Sequence, residues 1–217
     1  MTKFVKFGIF IGADFYPCML GGYKMPISNF FIKKILNRIR NETEYNEEDI
    51  DMMRYTLQAI LWEVEKTAYL FIIFLIFGAH WQFLTAIVAI TTIRPTAGGF
   101  HSSSAWGCFF WTLFGLILAI FVLPFIPLMT ITIILVGIFS LLVTYIATPV
   151  RSKQMDEIAD KSNDKQKKYR ATIITIVWFV LIFANQNFFL TPTALWVIFL
   201  QNVQLIIEFV RMRLDIR

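Results

Sequence analysis

The chain has 217 residues, of which 57% are hydrophobic and 16% are charged, and its mean hydropathy is +0.63. Because soluble domains carry about a quarter charged residues, this composition excludes an ordinary soluble enzyme and indicates an integral membrane protein. At about 20 residues for each crossing, the length allows about five or six membrane helices and no large soluble domain. The net charge of +5 is attributed to loops that stay cytoplasmic, so no nucleic-acid partner is expected. The two cysteines, Cys18 and Cys108, are too few for a disulfide framework and are expected to be free thiols.

The N-terminal part of the chain divides into two predicted regions. Residues 1–24 are predicted to be an extension of little functional weight, and residues 25–54 a cytoplasmic or interfacial amphipathic region. Within the second region, the apolar side chains of residues 27–40 lie near one face of a predicted helix and the basic side chains lie elsewhere. This pattern is typical of a helix that lies on an anionic membrane surface. The acidic run at residues 41–53 is predicted to be a solvated linker.

The chain from residue 55 onward begins with a hydrophobic stretch that allows two interpretations. Residues 67–92 could be one long crossing. Alternatively, a first helix over residues 55–77 turns at Gly78 and the residues after it, and the chain returns as a short helix over residues 82–93.

The placement of basic residues favours the hairpin. The segment 151–170 and the C-terminal tail are rich in Lys and Arg, and basic loops stay in the cytoplasm. With the hairpin, both termini, the loop at 94–105 and the segment 151–170 all lie inside; with one long crossing, the basic segment lies outside. The predicted fold is therefore an all-α, polytopic membrane helix bundle with an N-terminal amphipathic helix. About six membrane segments are predicted: 55–77, 82–93, 106–122, 129–147, 171–189 and 194–210.

The short second helix has a mechanical consequence. Its twelve residues reach about 18 Å, whereas the hydrocarbon core of a bilayer is about 30 Å thick. The loop at 94–105 is therefore predicted to lie recessed, at or just below the inner interface. Irregular backbone at that depth must be covered by protein or line a wet cavity.

The loop that follows this helix, RPTAGGFHSSSAWGC at residues 94–108, concentrates reactive groups. On a continuous helix His101 and Cys108 would lie about 10 Å apart along the axis. Gly98, Gly99 and the serine run should break the helix, so that His101 can fold back onto Cys108 at the start of the next helix. The positive end of that helix favours the thiolate, and an imidazole can accept the thiol proton. The alternative is a simple polar turn with a packed cysteine.

The neighbouring residues each have a structural and a functional interpretation. Arg94 either extends its side chain to the interface or binds a substrate carboxylate. Gly98 and Gly99 are either turn residues or present backbone N–H groups to an oxyanion. Ser102 is a candidate for substrate binding, although serines here are also typical turn and cap residues. No metal site is expected, because His80 falls on the opposite side of the membrane from His101.

The motif resembles the signature of the accessory gene regulator B (AgrB) family, membrane cysteine endopeptidases that process quorum-sensing propeptides. That signature has an arginine, a Gly-Gly or Gly-Ala pair, a histidine and a cysteine seven residues after the histidine. These positions correspond here to Arg94, Gly98, Gly99, His101 and Cys108. The order of hydrophobic segments from about residue 27 and the segment ATPVRSK at 147–153 also resemble the family.

The resemblance implies a specific chemistry without a cofactor. Cys108 is expected to attack a peptide bond of an AgrD-type propeptide, with His101 as the base and then as the acid for the leaving fragment. A cysteine or serine of the propeptide then attacks the thioester, which yields a cyclic thiolactone or lactone. Residues 55–217 would form the transmembrane peptidase domain of a multi-pass protein in the bacterial cell membrane, with both termini cytoplasmic.

Further roles and partners follow from the same resemblance. Gln58 is the candidate residue that orients His101, and Glu65 lies on the same face of the first segment. Arg151, Lys153 and Glu65 are candidates for binding the propeptide; alternatively, the basic charges of the segment 151–170 only set the topology. The expected partners are the propeptide, membrane lipid and a second copy of the chain in a homodimer. The alternatives from other classes are a small peptide transporter without proteolytic chemistry and a receptor-like or scaffolding helix bundle.

Overall fold

The structure, a computed structural model, describes residue 35 and residues 47–99, 105–150 and 164–214. These ranges contain helices and turns and no strand, which confirms the all-α prediction. The extension 1–24 and the amphipathic helix predicted for residues 27–40 lie outside the described residues, apart from Ile35. The long helices are α1 (Glu47–Ile76), α2 (His80–Ala97), α3 (Ala105–Ile117), α4 (Thr130–Ala147), α5 (Asp164–Ala184) and α6 (Thr191–Leu214).

Helices α1 and α2 form the predicted hairpin, so the interpretation as a single long crossing is wrong. Gly78 ends α1 with φ of +69°, a conformation that glycine adopts without steric cost. The N–H of Ala79 then donates to the carbonyl oxygen of Phe74 at 2.8 Å, which closes the turn. The Phe83 ring packs against the rings of Phe71 and Phe74, with centroids 5.9 and 5.4 Å apart.

Both helices of the hairpin are longer than predicted. Helix α1 begins at Glu47 and Ile50 is buried, so the prediction of a solvated linker up to residue 53 is wrong from Glu47 onward. Helix α2 runs through Pro95 to Ala97. Its 18 residues span about 27 Å, close to the thickness of the hydrocarbon core. The loop after α2 was predicted to be recessed because a helix of twelve residues is too short to cross the membrane. Since α2 has 18 residues, that reason is wrong.

The core of the bundle lies where α2, α4, α5 and α6 meet, and α6 is its most buried helix. Helices α4 and α5 approach closely at Gly137, where an added Cβ would lie 3.2 Å from the Phe179 ring. Small residues allow such close approach between membrane helices. A buried hydrogen bond of 2.9 Å from Thr144 to Asn202 joins α4 to α6. These contacts fix the position of α6, which carries polar groups toward the candidate site.

Of the predictions for the segments that precede α4, α5 and α6, one is confirmed and two are wrong. Helix α3 continues as a π turn and a 3-10 turn to Phe125, which confirms the predicted helix and its proline-containing end. Helix α5 begins at Asp164, so the predicted loop up to residue 170 is too long. The predicted turn at Thr191 and Pro192 is wrong, since both lie in the first turn of α6. Proline fits there because the first N–H groups of a helix have no helical partner.

Three stretches in the described part of the chain are long and apolar enough to cross a membrane. They are Trp106–Phe125, Thr130–Ala147 and Thr191–Leu214. Together with the apolar side chains exposed around the bundle, they indicate a membrane protein. The three other predicted segments coincide with helices α1, α2 and α5, and their crossing of the membrane stays a prediction.

Candidate active site

The end of α2 is held by backbone contacts around Gly98. The N–H of Gly98 donates to the carbonyl oxygen of Arg94 at 2.9 Å and so closes the helix. Gly98 has φ of +83° and ψ of −164°, a region of backbone conformation almost restricted to glycine. The N–H of Val150 donates to the carbonyl oxygen of Ala97 at 3.2 Å, and a Cβ on Gly98 would collide with the carbonyl oxygen of Val150. The glycine is thus required by structure, and its N–H is already used by the helix.

Two polar side chains converge on the adjacent glycine. Gln201 of α6 donates through Nε2 to the carbonyl oxygen of Gly98 at 3.0 Å. A Cβ built on Gly99 would lie 3.1 Å from Gln201 Nε2 and 3.1 Å from Arg94 Nε. Arg94 lies in the last turn of α2 and is half-buried, whereas the sequence placed it in a loop. The structure therefore brings together three of the residues of the predicted site, Arg94, Gly98 and Gly99.

A small, partly open cavity with both apolar and polar lining lies between α2, α3 and α6, directly beside this junction. Its volume is about 30 Å³, and one water molecule needs about 10–15 Å³ of such space. Polar side chains within a membrane bundle are costly unless they are paired or line a wet cavity. The polar side chains that line it are Arg94, Thr112, Gln201 and Gln204.

Cys108 is the fourth residue of α3, within the first turn of that helix, and only 5% of its surface is exposed. The described part of this helix begins at Ala105, and residues 100–104 before it lie outside the described residues. The Oγ1 of Thr112, one turn further on, donates to the carbonyl oxygen of Cys108 at 2.8 Å. Because Thr112 also lines the cavity, the cysteine lies one helical turn from it. Its position near the helix N-terminus exposes it to the positive end of the helix dipole.

Four of the predicted site residues lie outside the described part of the chain: His101, Ser102, Arg151 and Lys153. The predicted contact between His101 and Cys108 therefore stays a prediction. Val150, the residue before Arg151, lies against the end of α2, so the chain enters its basic segment beside the two glycines.

The two candidates on α1 are both half-buried. Glu65 accepts a hydrogen bond of 3.4 Å from the hydroxyl of Tyr69. On the same helix, Lys66 is 3% exposed and pairs with Glu63 at 2.6 Å, so its charge is compensated within the helix. The role of Gln58 in orienting His101 stays a prediction. Within the described ranges, no group of three His, Cys, Asp or Glu side chains is arranged to hold a metal ion.

The polar side chains of α6 were not among the residues predicted from the sequence. Gln201 and Asn202 are buried, and Gln204 lines the cavity. The signal was present, since amide side chains inside a 24-residue, largely apolar helix are costly in a membrane and mark functional or packing positions. Sequence alone, however, does not show which neighbouring helix each amide faces.

The fold and the site define a class, a helical membrane protein with a buried cysteine one helical turn from a small cavity that Arg94 and Gln201 line. The accessory gene regulator B (AgrB) family matches residues 32–205, and the chain belongs to this family. An AgrB-like protein of Clostridium beijerinckii is 29% identical over 173 residues, which cover 77% of this chain and 82% of the relative. AgrB-like protein 1 of Clostridium perfringens strain 13 is 22% identical over 181 residues, covering 83% and 97% respectively. No solved structure matches this chain significantly.

Membership of the family indicates a role in the accessory gene regulator system of quorum sensing. AgrB proteins act together with AgrD-type propeptides, and a role as a peptidase is consistent with this membership.

Proposed function

We propose that the protein is a membrane-embedded cysteine endopeptidase. It cleaves an AgrD-type propeptide and cyclises the released part, through an acyl-enzyme thioester, to a thiolactone or lactone precursor of an autoinducing peptide. The observation that supports this most is the position of Cys108. It lies buried in the first turn of α3, one turn from a cavity lined by Arg94 and Gln201.

The reaction divides into two acyl transfers. The sulfur of Cys108 attacks the carbonyl carbon of the scissile peptide bond while His101 takes the thiol proton. The tetrahedral oxyanion accepts a hydrogen bond from the N–H of Gly99, because the N–H of Gly98 is occupied by Arg94. His101 then returns the proton to the leaving amine, and a thioester with Cys108 remains.

The second transfer closes the ring. A thiol or hydroxyl inside the propeptide attacks the thioester carbonyl, the cyclic product forms, and Cys108 is released with its proton. This second transfer exchanges the thioester for another thioester or for an ester, a bond of equal or lower energy, so it requires no nucleotide and no cofactor. The cysteine is almost completely buried, which slows the competing attack by water.

The remaining candidates have supporting roles in this scheme. Gln58 and Gly98 are each 20 residues from Gly78, about 30 Å along either helix. Antiparallel packing of α1 and α2 therefore gives them a similar height in the hairpin, which supports Gln58 as the residue that orients His101.

Binding of the propeptide is assigned to a separate set of residues. Arg94 and Ser102 hold the substrate near the cysteine, and Arg151, Lys153 and Glu65 contact its other parts. The protein would act as a homodimer in the lipid of the bacterial membrane, with both termini in the cytoplasm.

The alternative function, a peptide transporter without proteolysis, has weaker support. A transporter gives no role to the buried Cys108, and it differs from the endopeptidase in that its activity would not depend on that cysteine.

The experiment compares Cys108→Ala and Cys108→Ser with the matched control Cys18→Ala, all in liposomes with an AgrD-type propeptide tagged at its C-terminus. We expect both changes at Cys108 to abolish release of the tagged fragment while binding of the propeptide persists. The control should cleave like the wild type. Release of the fragment by Cys108→Ala at an undiminished rate would refute the proposal.

A further inference from the structure

Gln201 makes the side-chain contact by which α6 holds the end of α2. Its Nε2 donates to the carbonyl oxygen of Gly98 at 3.0 Å, across 103 residues of sequence. The side chain is 5% exposed. A buried amide is costly without a hydrogen bond, so this contact fixes both the amide and the carbonyl group that it meets.

Fixing that carbonyl group also fixes the next N–H. The peptide bond between Gly98 and Gly99 is planar and trans, so its C=O and N–H point in opposite directions. With the carbonyl held toward α6, the N–H of Gly99 points away from α6. It makes no hydrogen bond to any residue that the structure describes.

A second observation connects the same two residues. A Cβ on Gly99 would lie 3.1 Å from Gln201 Nε2, a separation at which the amide would have to move by a few tenths of an ångström. Any side chain at residue 99 would therefore displace the amide of Gln201.

We propose that Gln201 is a positioning residue that aims the N–H of Gly99 at the oxyanion of the reacting carbonyl. This inference rests on the proposed function. It assigns to α6 a part in the chemistry that the motif at 94–108 does not contain.

The test measures kcat and KM for propeptide cleavage by Gln201→Met, which keeps the length of the side chain but removes the donor. The control is Asn202→Leu, which removes a buried amide from the adjacent position that faces Thr144 instead.

Loss of one oxyanion donor lowers kcat by about 10²–10³-fold, so a misaimed donor should lower it at least about ten-fold. We expect that loss with KM within about two-fold of the wild type, because only the transition state is affected. The control should keep kcat per folded molecule.

A second variant, Gln201→Glu, gives a readout that a purely structural role would not produce. A protonated carboxyl can donate to the carbonyl oxygen of Gly98, whereas an ionised one cannot. We therefore expect its kcat, relative to the wild type at the same pH, to recover at low pH and to fall as the pH rises.

The outcomes separate this inference from the proposed function. If the wild type shows no cleavage that depends on Cys108, both fail. If the wild type cleaves and Gln201→Met keeps its kcat, or loses no more than Asn202→Leu, only the positioning role is overturned.

Discussion

Substituting Gly98 by alanine tests, through protein stability, whether the segment after α4 packs tightly against the end of α2. A methyl group at this position has two costs that can be worked out from the structure. Backbone strain at φ of +83° and ψ of −164° costs a non-glycine residue about 1–3 kcal/mol. The Cβ would also collide with the carbonyl oxygen of Val150, so the chain after α4 must move away.

That movement breaks the hydrogen bond between the Val150 N–H and the carbonyl oxygen of Ala97, a loss of about 1 kcal/mol. We therefore expect Gly98→Ala to lower the free energy of unfolding by about 2–4 kcal/mol. Reversible unfolding in mixed detergent micelles, followed by circular dichroism, measures this change.

Gly78→Ala is the matched control. Gly78 also has a positive φ, +69°, but a Cβ there would meet nothing within 4 Å, so only the backbone strain of about 1–2 kcal/mol applies. A loss at Gly98 that is no larger than the loss at Gly78 would show that the segment after α4 does not press on the end of α2, and the reasoning would be refuted.

Two other predictions concern the core and the topology. Thr144→Val leaves the buried Asn202 without the donor that contacts its Oδ1, so it should lower the free energy of unfolding by about 1 kcal/mol. Thr130→Val removes an exposed hydroxyl and should not lower it. Equal unfolding curves for the two variants would contradict this prediction. In a background without native cysteines, Phe77→Cys should react with an impermeant maleimide in intact cells, and Lys165→Cys only after the membrane is opened. The reverse pattern would contradict the assigned orientation.

The breaks in the helices were predictable from sequence where glycine adopts a positive φ. Gly78 and Gly98 end helices because other residues are strained in those conformations. Proline was a poorer guide. Pro95 lies inside α2, and Pro192 lies in the first turn of α6. In the first turn a proline removes no helical hydrogen bond, and within a membrane bundle neighbouring groups compensate for the one it removes near a helix end.

The candidate site was predictable only where the chain itself brings residues together. Arg94, Gly98 and Cys108 lie within 15 residues, and one motif contains them. Gln201 joins this group from 103 residues away. Which faces of two helices pack together depends on tertiary contacts that hydrophobic periodicity does not specify, so an amide on α6 could be recognised as unusual but not assigned to Gly98.

Intact-mass measurement of the acyl-enzyme tests the central claim most directly. The protein in liposomes is mixed with a propeptide whose internal cysteine or serine is replaced by alanine, so that the thioester forms but the ring cannot close. We predict a mass increase equal to the mass of the N-terminal fragment of the propeptide less one water, because its acyl group replaces the thiol hydrogen. It should be located on Cys108, removed by neutral hydroxylamine and absent in Cys108→Ala. Cleavage of the propeptide without any adduct on Cys108 would contradict the account.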